Sequence, residues 1–399
     1  MVVAGPGLLA GLSDDDPAGI TTYSILGARF GYRLLWVLAL STVALIVFHE
    51  LGARMGVVTG KGLMALVRER FSRRASTGAL TALVVANVGT CCAEFAGVAA
   101  GLGLAGVSRY VSVPLAALTV SALVLRSSFH RVEHVLLAVS AIFATYVVSG
   151  VLAHPNWGAT GRGLVVPSLP LTRTAVLTAV ATVGTTLAPW GLAFIQSYAV
   201  DKRLSTRDLG YERVDVITGA ALTGVIGVFV VVACAATIHG HGRSDIHDAS
   251  DAAVALRPLA GHLAATLFGA GLVGAALLAA SVLPLSTAYS VSEAFGRECK
   301  IDDSFRQAPL FYGSYAGVVA LSVVLVLLPG APLIPILFLS QALNAVLLLA
   351  ILPFLITLAR DHDLMGPHAL TRAGTAVTSL ALALIAACVV ALGVLAIAG

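Results

Sequence analysis

Two apolar stretches of the sequence are each long enough to cross a membrane, and each is interrupted near its middle by a proline and a glycine. The first interruption runs from Asp14 to Gly19 (DDDPAG), and the second runs from Ala188 to Gly191 (APWG). Proline removes a backbone donor and glycine tolerates unwound dihedral angles, so both stretches are predicted to be broken helices. Irregular backbone at membrane depth survives only where it lines a cavity or is buried in protein. We therefore expect a functional site at the two breaks.

The composition is typical of a polytopic membrane protein. Of the 399 residues, 58% are hydrophobic and only 11% are charged, whereas a soluble domain carries about 25% charged residues. The net charge of +4 is spread over the loops, which argues against a nucleic-acid partner. No nucleophile–base pair, phosphate loop or cleavable signal is visible. These observations argue against an enzyme and favour a protein whose partner is the lipid bilayer.

At about 20 apolar residues per helix, the sequence predicts eleven membrane-spanning helices in a single transmembrane domain, residues 1–399. The predicted spans are approximately residues 2–29, 34–53, 79–106, 110–126, 133–152, 173–200, 213–238, 258–292, 309–328, 332–357 and 373–398. Helices 1 to 5 and 6 to 10 each begin with a broken helix, and an odd number of helices per half inverts the topology. The pattern predicts an all-α, five-plus-five inverted repeat of the amino-acid-transporter-like fold. Repeat one covers about residues 1–155, repeat two about 172–358, and an extra helix about 373–398.

The distribution of positive charge predicts the orientation of the chain. Of the 24 lysine and arginine residues, 17 fall in loops on one side of the predicted spans and 7 on the other. Because cytoplasmic loops carry the excess of lysine and arginine, we expect a cytoplasmic N-terminus and an external C-terminus. The predicted location is the plasma membrane. The sequence does not determine the oligomeric state, and a monomer is compatible with it.

Nearly the whole chain resembles the Nramp divalent-metal transporters. The motifs that carry the resemblance are Gly5-Pro6-Gly7, Asp16-Pro17, Phe30 to Trp36 (FGYRLLW), Ala53 to Lys61 (ARMGVVTGK), Ala93-Glu94 and Ser340-Gln341. The resemblance implies a transporter whose metal is a substrate rather than a cofactor.

The residues at the two breaks depart from the family pattern. In the family, the first break supplies an aspartate and an asparagine to the metal; here Asp16 stands at the aspartate and Gly19 at the asparagine. The methionine that the family is thought to use for softer metals is replaced by Ala188. The resemblance is therefore greatest to a divergent branch in which the methionine is replaced and magnesium is accepted.

The proposed proton route of the family is also altered. Two histidines of that route are replaced by Trp190 and Ile195, and one acidic residue of helix 3 is replaced by Cys91. Glu94 is retained and is interpreted as a residual proton site or a vestibule charge, or alternatively as a structural residue paired with a buried hydroxyl or arginine. The resemblance thus implies weak or absent proton coupling.

The remaining polar groups predict an all-oxygen metal site. Its expected members are the Asp16 carboxylate, with Asp15 as a possible helper, the carbonyls of Leu187 and Ala188, and the side chain of Gln341. Hard cations such as Mg²⁺ and Mn²⁺ take oxygen ligands, and Mg²⁺ keeps several waters.

Small residues at the breaks are expected to leave room for those waters, Gly19 among them. Asp14 is interpreted as a solvated charge at the rim of the inner vestibule. Gln341 and Asn344 lie on one helix face and either contact the solute or join helices to each other.

The sequence thus predicts a divalent-cation transporter that works by alternating access, with Mg²⁺ or Mn²⁺ as substrate. Two alternatives stay open. The first is a proton-coupled Mn²⁺ or Fe²⁺ importer of the ordinary Nramp type, which would use Glu94 and Asp16 as proton acceptors. The second is a carrier of a small organic solute on the same fold, with Trp190 stacked on an organic cation.

Overall fold

The computed structural model describes residues 6–126, 145–241, 246, 249–297, 301 and 303–398, and within these ranges all regular structure is helical. The first helices are α1 (Pro6–Ser13), α2 (Pro17–Phe30), α3 (Leu35–Thr59), α4 (Leu63–Arg70), α5 (Arg73–Gly103), α6 (Arg109–Arg126), α7 (Thr145–Leu152) and α8 (Trp157–Val165). They are followed by α9 (Arg173–Thr186), α10 (Pro189–Asp201), α11 (Leu209–Thr237), α12 (Ala249–Ala253), α13 (Arg257–Ala260), α14 (Ala264–Ala294), α15 (Pro309–Leu327), α16 (Leu333–Leu348), α17 (Leu352–Arg360), α18 (His362–Met365) and α19 (Arg372–Ala398). Short 3₁₀ turns cover His239–His241, Val254–Leu256, Gly261–Leu263 and Gly366–His368.

Eight helical segments of the described chain are long and apolar enough to cross a membrane. They are Leu35–Thr59, Arg73–Gly103, Arg173–Asp201, Leu209–Thr237, Asp251–Ala294, Pro309–Leu327, Leu333–Arg360 and Arg372–Leu395. Each coincides with one of the eleven predicted spans, and the chain is a multi-pass membrane protein.

The other three predicted spans are not among these eight helical segments. The first is divided between α1 and α2, which are each too short to cross a membrane alone. The apolar part of α6, Arg109–Val124, is a shorter helix. Of the predicted fifth span, residues 133–144 lie outside the described residues. So do Gly5 of the first motif and three residues of the charge pattern, Arg131, Arg243 and Lys300. The total of eleven therefore stays a prediction.

Helix ends differ from the predicted boundaries because caps, rather than hydrophobicity, set them. Helix α3 was expected to end at residue 53 but continues to Thr59, where Gly60 adopts a left-handed conformation (φ 64°) and its N–H donates to the Gly56 carbonyl. Helix α5 begins at Arg73, six residues before the predicted start, because Ser72 Oγ accepts the Ala75 N–H at 3.3 Å.

The four halves of the broken helices lie inside a shell of continuous helices. Helix α2 packs against α11, α16 and α9, and α9 packs against α16, α3 and α19. Helix α10 packs against α3 and α14, while α1 packs mainly against α11. Helix α5 also contacts α2, and it packs mainly against α14, α15 and α16. The arrangement brings the two breaks into the interior of the molecule.

Glycines allow α1 to lie directly against the backbone of α11. A Cβ atom added to Gly7 or to Gly11 would come within 2.5 Å of α11 backbone atoms, so neither position has room for a side chain. The start of α1 is held by Asp215 of α11, whose Oδ2 accepts the Gly7 N–H at 2.7 Å and the Leu8 N–H at 3.1 Å. Helix α1 is thus anchored by a side chain from a distant part of the sequence.

Candidate metal site

The first break consists of Asp14, Asp15 and Asp16, between α1 and α2. Asp16 is the N-cap of α2: its extended backbone leads into Pro17 at the first helical position, and its Oδ1 accepts the Gly19 N–H at 2.5 Å. Aspartate at the N-cap followed by proline is a combination that favours the start of a helix. The helix therefore breaks where the sequence predicts, and the cap fixes the position of one carboxylate there.

The second break consists of Leu187 and Ala188, between α9 and α10. Pro189 begins α10, and Ala188 offers no side chain to cap it. The Ala188 carbonyl accepts the Gly191 N–H at 3.1 Å, whereas no described backbone N–H donates to the Leu187 carbonyl. A carbonyl oxygen has two lone pairs, so both carbonyls can accept a further partner. This break also lies where the sequence predicts it.

The two breaks face each other across the interior. A Cβ atom added to Gly19 of α2 would lie 3.2 Å from Thr185 Oγ1, at the end of α9. A Cβ atom added to Gly191 of α10 would lie 3.9 Å from Asp14 Oδ1 in the first break. The first break therefore lies close to the ends of α9 and α10 that flank the second break.

Gly19 lies among oxygen atoms of both broken helices. Besides Thr185 Oγ1, its added Cβ atom would meet the Asp14 carbonyl oxygen at 2.9 Å and Asp16 Oδ1 at 3.1 Å. Three oxygen atoms line the position, and the expectation that it leaves room for water stays a prediction. Gly19 contributes its N–H to the Asp16 cap and brings no ligand atom of its own side chain.

Asp14 and Asp15 are both buried. Asp14 is only 2% exposed, so its interpretation as a solvated rim charge is wrong. Asp14 Oδ2 and both carboxyl oxygens of Asp15 make no hydrogen bond to a described residue. Burying a carboxylate without a partner is costly, so these atoms are suited to bind a cation or to carry a proton.

Glu94 of α5 lies next to Asp16. Gly97, one turn further along α5, is in direct contact with the ring of Pro17, which brings α5 against the first break. The carboxyl groups of Glu94 and Asp16 are close enough to interact electrostatically. Neither Glu94 oxygen bonds to a hydroxyl or an arginine in the described part of the chain, so the structural alternative of such a pairing is not observed there.

Gln341 and Asn344 of α16 belong to a buried hydrogen-bond network. Asn344 Nδ2 donates to Gln341 Oε1 at 3.0 Å and to Thr90 Oγ1 of α5 at 2.9 Å, and Gln341 Nε2 donates to Ser340 Oγ at 3.1 Å. The network joins α16 to α5, as the alternative interpretation of these residues expected. The backbone of Gln341 also contacts Gly184 of α9. Whether the Gln341 side chain reaches the metal stays a prediction.

Trp190 is fully buried among apolar side chains. Its ring is tilted against Phe194, with centroids 6.3 Å apart, and its carbonyl accepts the Ser286 hydroxyl of α14 at 2.9 Å. Trp190 thus belongs to a buried apolar cluster that also includes residues of α14. This packing removes the sequence-based argument for an organic cation stacked on Trp190.

Two residues near the breaks were missed by the sequence analysis. His49 of α3 is buried, and its Nε2 would lie 3.0 Å from a Cβ atom added to Gly191. Thr185 Oγ1 is buried and lacks a hydrogen-bond partner among the described residues. The sequence signal for His49 was a histidine inside an apolar helix. The signal for Thr185 was a threonine next to the second break.

The described residues contain no group of three or more histidine, cysteine, aspartate or glutamate side chains arranged to hold a metal ion. The three consecutive aspartates therefore do not converge on one point. A cation bound at the breaks would combine few carboxylate oxygens with neutral oxygens from carbonyls, hydroxyls or water. Such a donor set favours hard cations over soft ones.

Comparison with solved structures gives the fold. The chain resembles the manganese transporter of Eremococcus coleocola with a TM-score of 0.78 at 18% identity, covering 98% of this chain and 85% of that one. It also resembles Mhp1, a nucleobase-cation-symport-1 family transporter, with a TM-score of 0.55 at 15% identity over 98% and 90% of the two chains. MhsT in complex with L-phenylalanine gives a TM-score of 0.56 at 13% identity over 98% and 97%. The chain thus shares its fold with these transporters.

Comparison of sequences gives the family. The family model described as "Natural resistance-associated macrophage protein-like" matches residues 7–395. A relative from Pectobacterium carotovorum subsp. carotovorum (strain PC1), called "Divalent metal cation transporter MntH", is 32% identical over 279 residues, which is 68% of each chain. Members of this family are transporters rather than enzymes, and their metal is a substrate rather than a cofactor. The protein belongs to the Nramp family.

Proposed function

We propose that this protein transports a divalent cation by alternating access and that the cation binds between the two helix breaks. The observation that carries the proposal is the position of Asp16, whose carboxylate is fixed by a cap at the first break and lies near the Thr185 hydroxyl at the end of α9, beside the second break. Membership of the Nramp family and the names of the manganese and divalent-metal relatives support the same substrate class.

The proposed substrates are Mg²⁺ and Mn²⁺. The proposed ligands are Asp16, Asp15, the carbonyls of Leu187 and Ala188, and the side chain of Gln341. All of them offer oxygen, which suits hard cations. A thioether is absent at Ala188, so the feature that would favour softer metals is missing.

We propose that proton coupling is weak or absent. Trp190 is packed in the core and offers no titratable group, which supports this view. The proximity of Glu94 and Asp16 favours a second candidate, a proton-coupled Mn²⁺ or Fe²⁺ importer, because two neighbouring buried carboxyl groups can share a proton. The two candidates differ in whether internal pH changes during uptake.

The proposed architecture is one transmembrane domain of eleven spans, with inverted repeats at about residues 1–155 and 172–358 and an extra helix at about 373–398. It is supported by the two broken helices, each of which is surrounded by continuous ones. We place the protein in the plasma membrane with its N-terminus in the cytoplasm, on the basis of the lysine and arginine distribution.

Uptake into proteoliposomes tests the function. Purified protein is reconstituted, entry of Mg²⁺, Mn²⁺ and Ca²⁺ is measured, and internal pH is followed in the same vesicles. The Asp16→Ala variant is compared with Asp363→Ala, a matched change at an exposed aspartate of α18. Entry of Mg²⁺ or Mn²⁺ that Asp16→Ala abolishes and Asp363→Ala preserves is the expected result. Absence of any divalent flux in the unmodified protein would refute the proposal.

A further inference from the structure

Position 19 carries no side chain, yet the space beside it is lined with oxygen. The atoms closest to an added Cβ are the Asp14 carbonyl oxygen at 2.9 Å, Asp16 Oδ1 at 3.1 Å and Thr185 Oγ1 at 3.2 Å. Two of these atoms come from the first break, and the third comes from the other broken helix. The side-chain oxygen missing at Gly19 thus has a counterpart on α9.

The hydroxyl of Thr185 differs from those of the other buried threonines in α9. Thr178, Thr182 and Thr186 each donate to the carbonyl four residues earlier, at 2.8, 2.8 and 2.9 Å. This back-bonding is the usual way for a threonine to satisfy its hydroxyl inside a helix. Thr185 is only 2% exposed, and its Oγ1 makes no hydrogen bond to a described residue.

A buried hydroxyl without a partner is unfavourable, and here it is next to the capped carboxylate of Asp16. A neutral hydroxyl oxygen is a hard donor of the kind that Mg²⁺ and Mn²⁺ accept. Together with a carboxylate and backbone carbonyls, it would extend the donor set without adding a further negative charge. The position of the Thr185 hydroxyl, its burial and its donor chemistry are therefore all compatible with a cation ligand.

We propose that Thr185 supplies a side-chain oxygen ligand to the transported divalent cation, in place of the ligand that position 19 cannot provide. The inference rests on the proposed function, since it assigns a further ligand to the same site. It makes Thr185 a determinant of metal selectivity, because exchanging its oxygen for sulfur or carbon changes the hardness of the donor set.

Binding of Mg²⁺ and Cd²⁺ to the purified full-length protein tests the proposal by calorimetry. Thr185→Val removes the oxygen at nearly constant shape, and Thr185→Ser keeps it. Mg²⁺ affinity is expected to fall about tenfold in Thr185→Val, the lower end of what loss of an outer partner costs a metal site, and to stay near that of the unmodified protein in Thr185→Ser. The matched control is Thr182→Val, which lies on the same buried helix but bonds back to its own backbone.

A cysteine at the same position gives a readout that a structural role would not. Thr185→Cys is expected to gain affinity for Cd²⁺ and lose it for Mg²⁺, since thiolates select soft metals, whereas Thr182→Cys should do neither. Unchanged Mg²⁺ affinity in Thr185→Val together with no Cd²⁺ gain in Thr185→Cys would overturn the inference. If the unmodified protein itself bound and carried no divalent cation, the proposed function would fail instead. Should the Thr185→Val variant not fold, the Thr185→Ser and Thr185→Cys variants still show whether or not Thr185 is a ligand of the cation.

Discussion

The two helix breaks have different construction. The first contains three aspartates and starts α2 with a side-chain cap from Asp16, and its preceding helix α1 is anchored by Asp215. The second contains only Leu187 and Ala188 and starts α10 with no side-chain cap. The carboxylates are therefore concentrated at the first break, while the second offers neutral backbone oxygens. If one cation contacts both breaks, the first break should mainly determine the affinity for divalent cations. The second break should mainly determine the selectivity among them.

The largest effect is expected from removing the charge at the first break. Asp16→Asn keeps a good N-cap residue but loses the carboxylate, so it separates the cap from the charge. Loss of a buried charged partner costs about 2–5 kcal/mol, so Mg²⁺ uptake should fall about 100-fold, equivalent to about 2.8 kcal/mol. The measurement is initial uptake rate in proteoliposomes.

Asp16→Ala, which loses both cap and charge, serves as the reference for that experiment. Melting temperatures of the two variants in detergent report the contribution of the cap, about 1 kcal/mol. Full Mg²⁺ uptake by Asp16→Asn would mean that Asp16 is needed only for helix initiation. It would contradict the proposal that the Asp16 carboxylate binds the cation.

A change in selectivity is expected from the second break. Ala188→Met adds a soft thioether beside the carbonyls, and methionine is flexible enough to adapt to a buried position. The ratio of Mn²⁺ to Mg²⁺ uptake should rise by about tenfold, or about 1.4 kcal/mol of differential binding. Competition of each metal against the other in the same vesicles measures this ratio. A folded variant with an unchanged ratio would indicate that the second break does not contact the cation.

A smaller effect on transport is expected from Glu94, which lies beside the first break but on a continuous helix. Glu94→Gln removes a charge near Asp16 and should weaken Mg²⁺ uptake less than Asp16→Asn does. Internal pH should stay constant during uptake in both the variant and the unmodified protein. Acidification in the unmodified protein that disappears in Glu94→Gln would favour the proton-coupled alternative.

The smallest effect concerns the anchor of α1. Asp215→Ala leaves the Gly7 and Leu8 N–H groups without their acceptor, which should lower the free energy of unfolding by about 1 kcal/mol, as for the loss of an N-cap. Asp215→Asn retains an acceptor and should lose less. Thermal unfolding followed by circular dichroism measures both. Equal melting temperatures for all three proteins would show that this cap does not stabilise α1.

Proline, glycine and aspartate influence the backbone only within a few residues of themselves, so the helix breaks that they cause could be predicted from the sequence. Both breaks and the place of Asp16 follow from local backbone preferences, and most long helices follow from apolar runs. The burial of Asp14 could not be predicted, because it depends on α10 and α3 packing over the first break. That the Thr185 hydroxyl has no partner among the described residues could not be predicted either, since a threonine in a helix ordinarily bonds to its own backbone. Contacts between residues more than 160 positions apart, as between Gly19 and Thr185, leave no periodic signal in one sequence.

The most direct test of a site shared by both breaks is to locate a bound metal. Protein is crystallised with Mn²⁺, and the ion is found by its anomalous scattering. We predict one peak within coordinating distance of the Asp16 carboxylate and of at least one oxygen from Thr185, Leu187 or Ala188. A peak that contacts only one break, or lies away from both, would contradict the account.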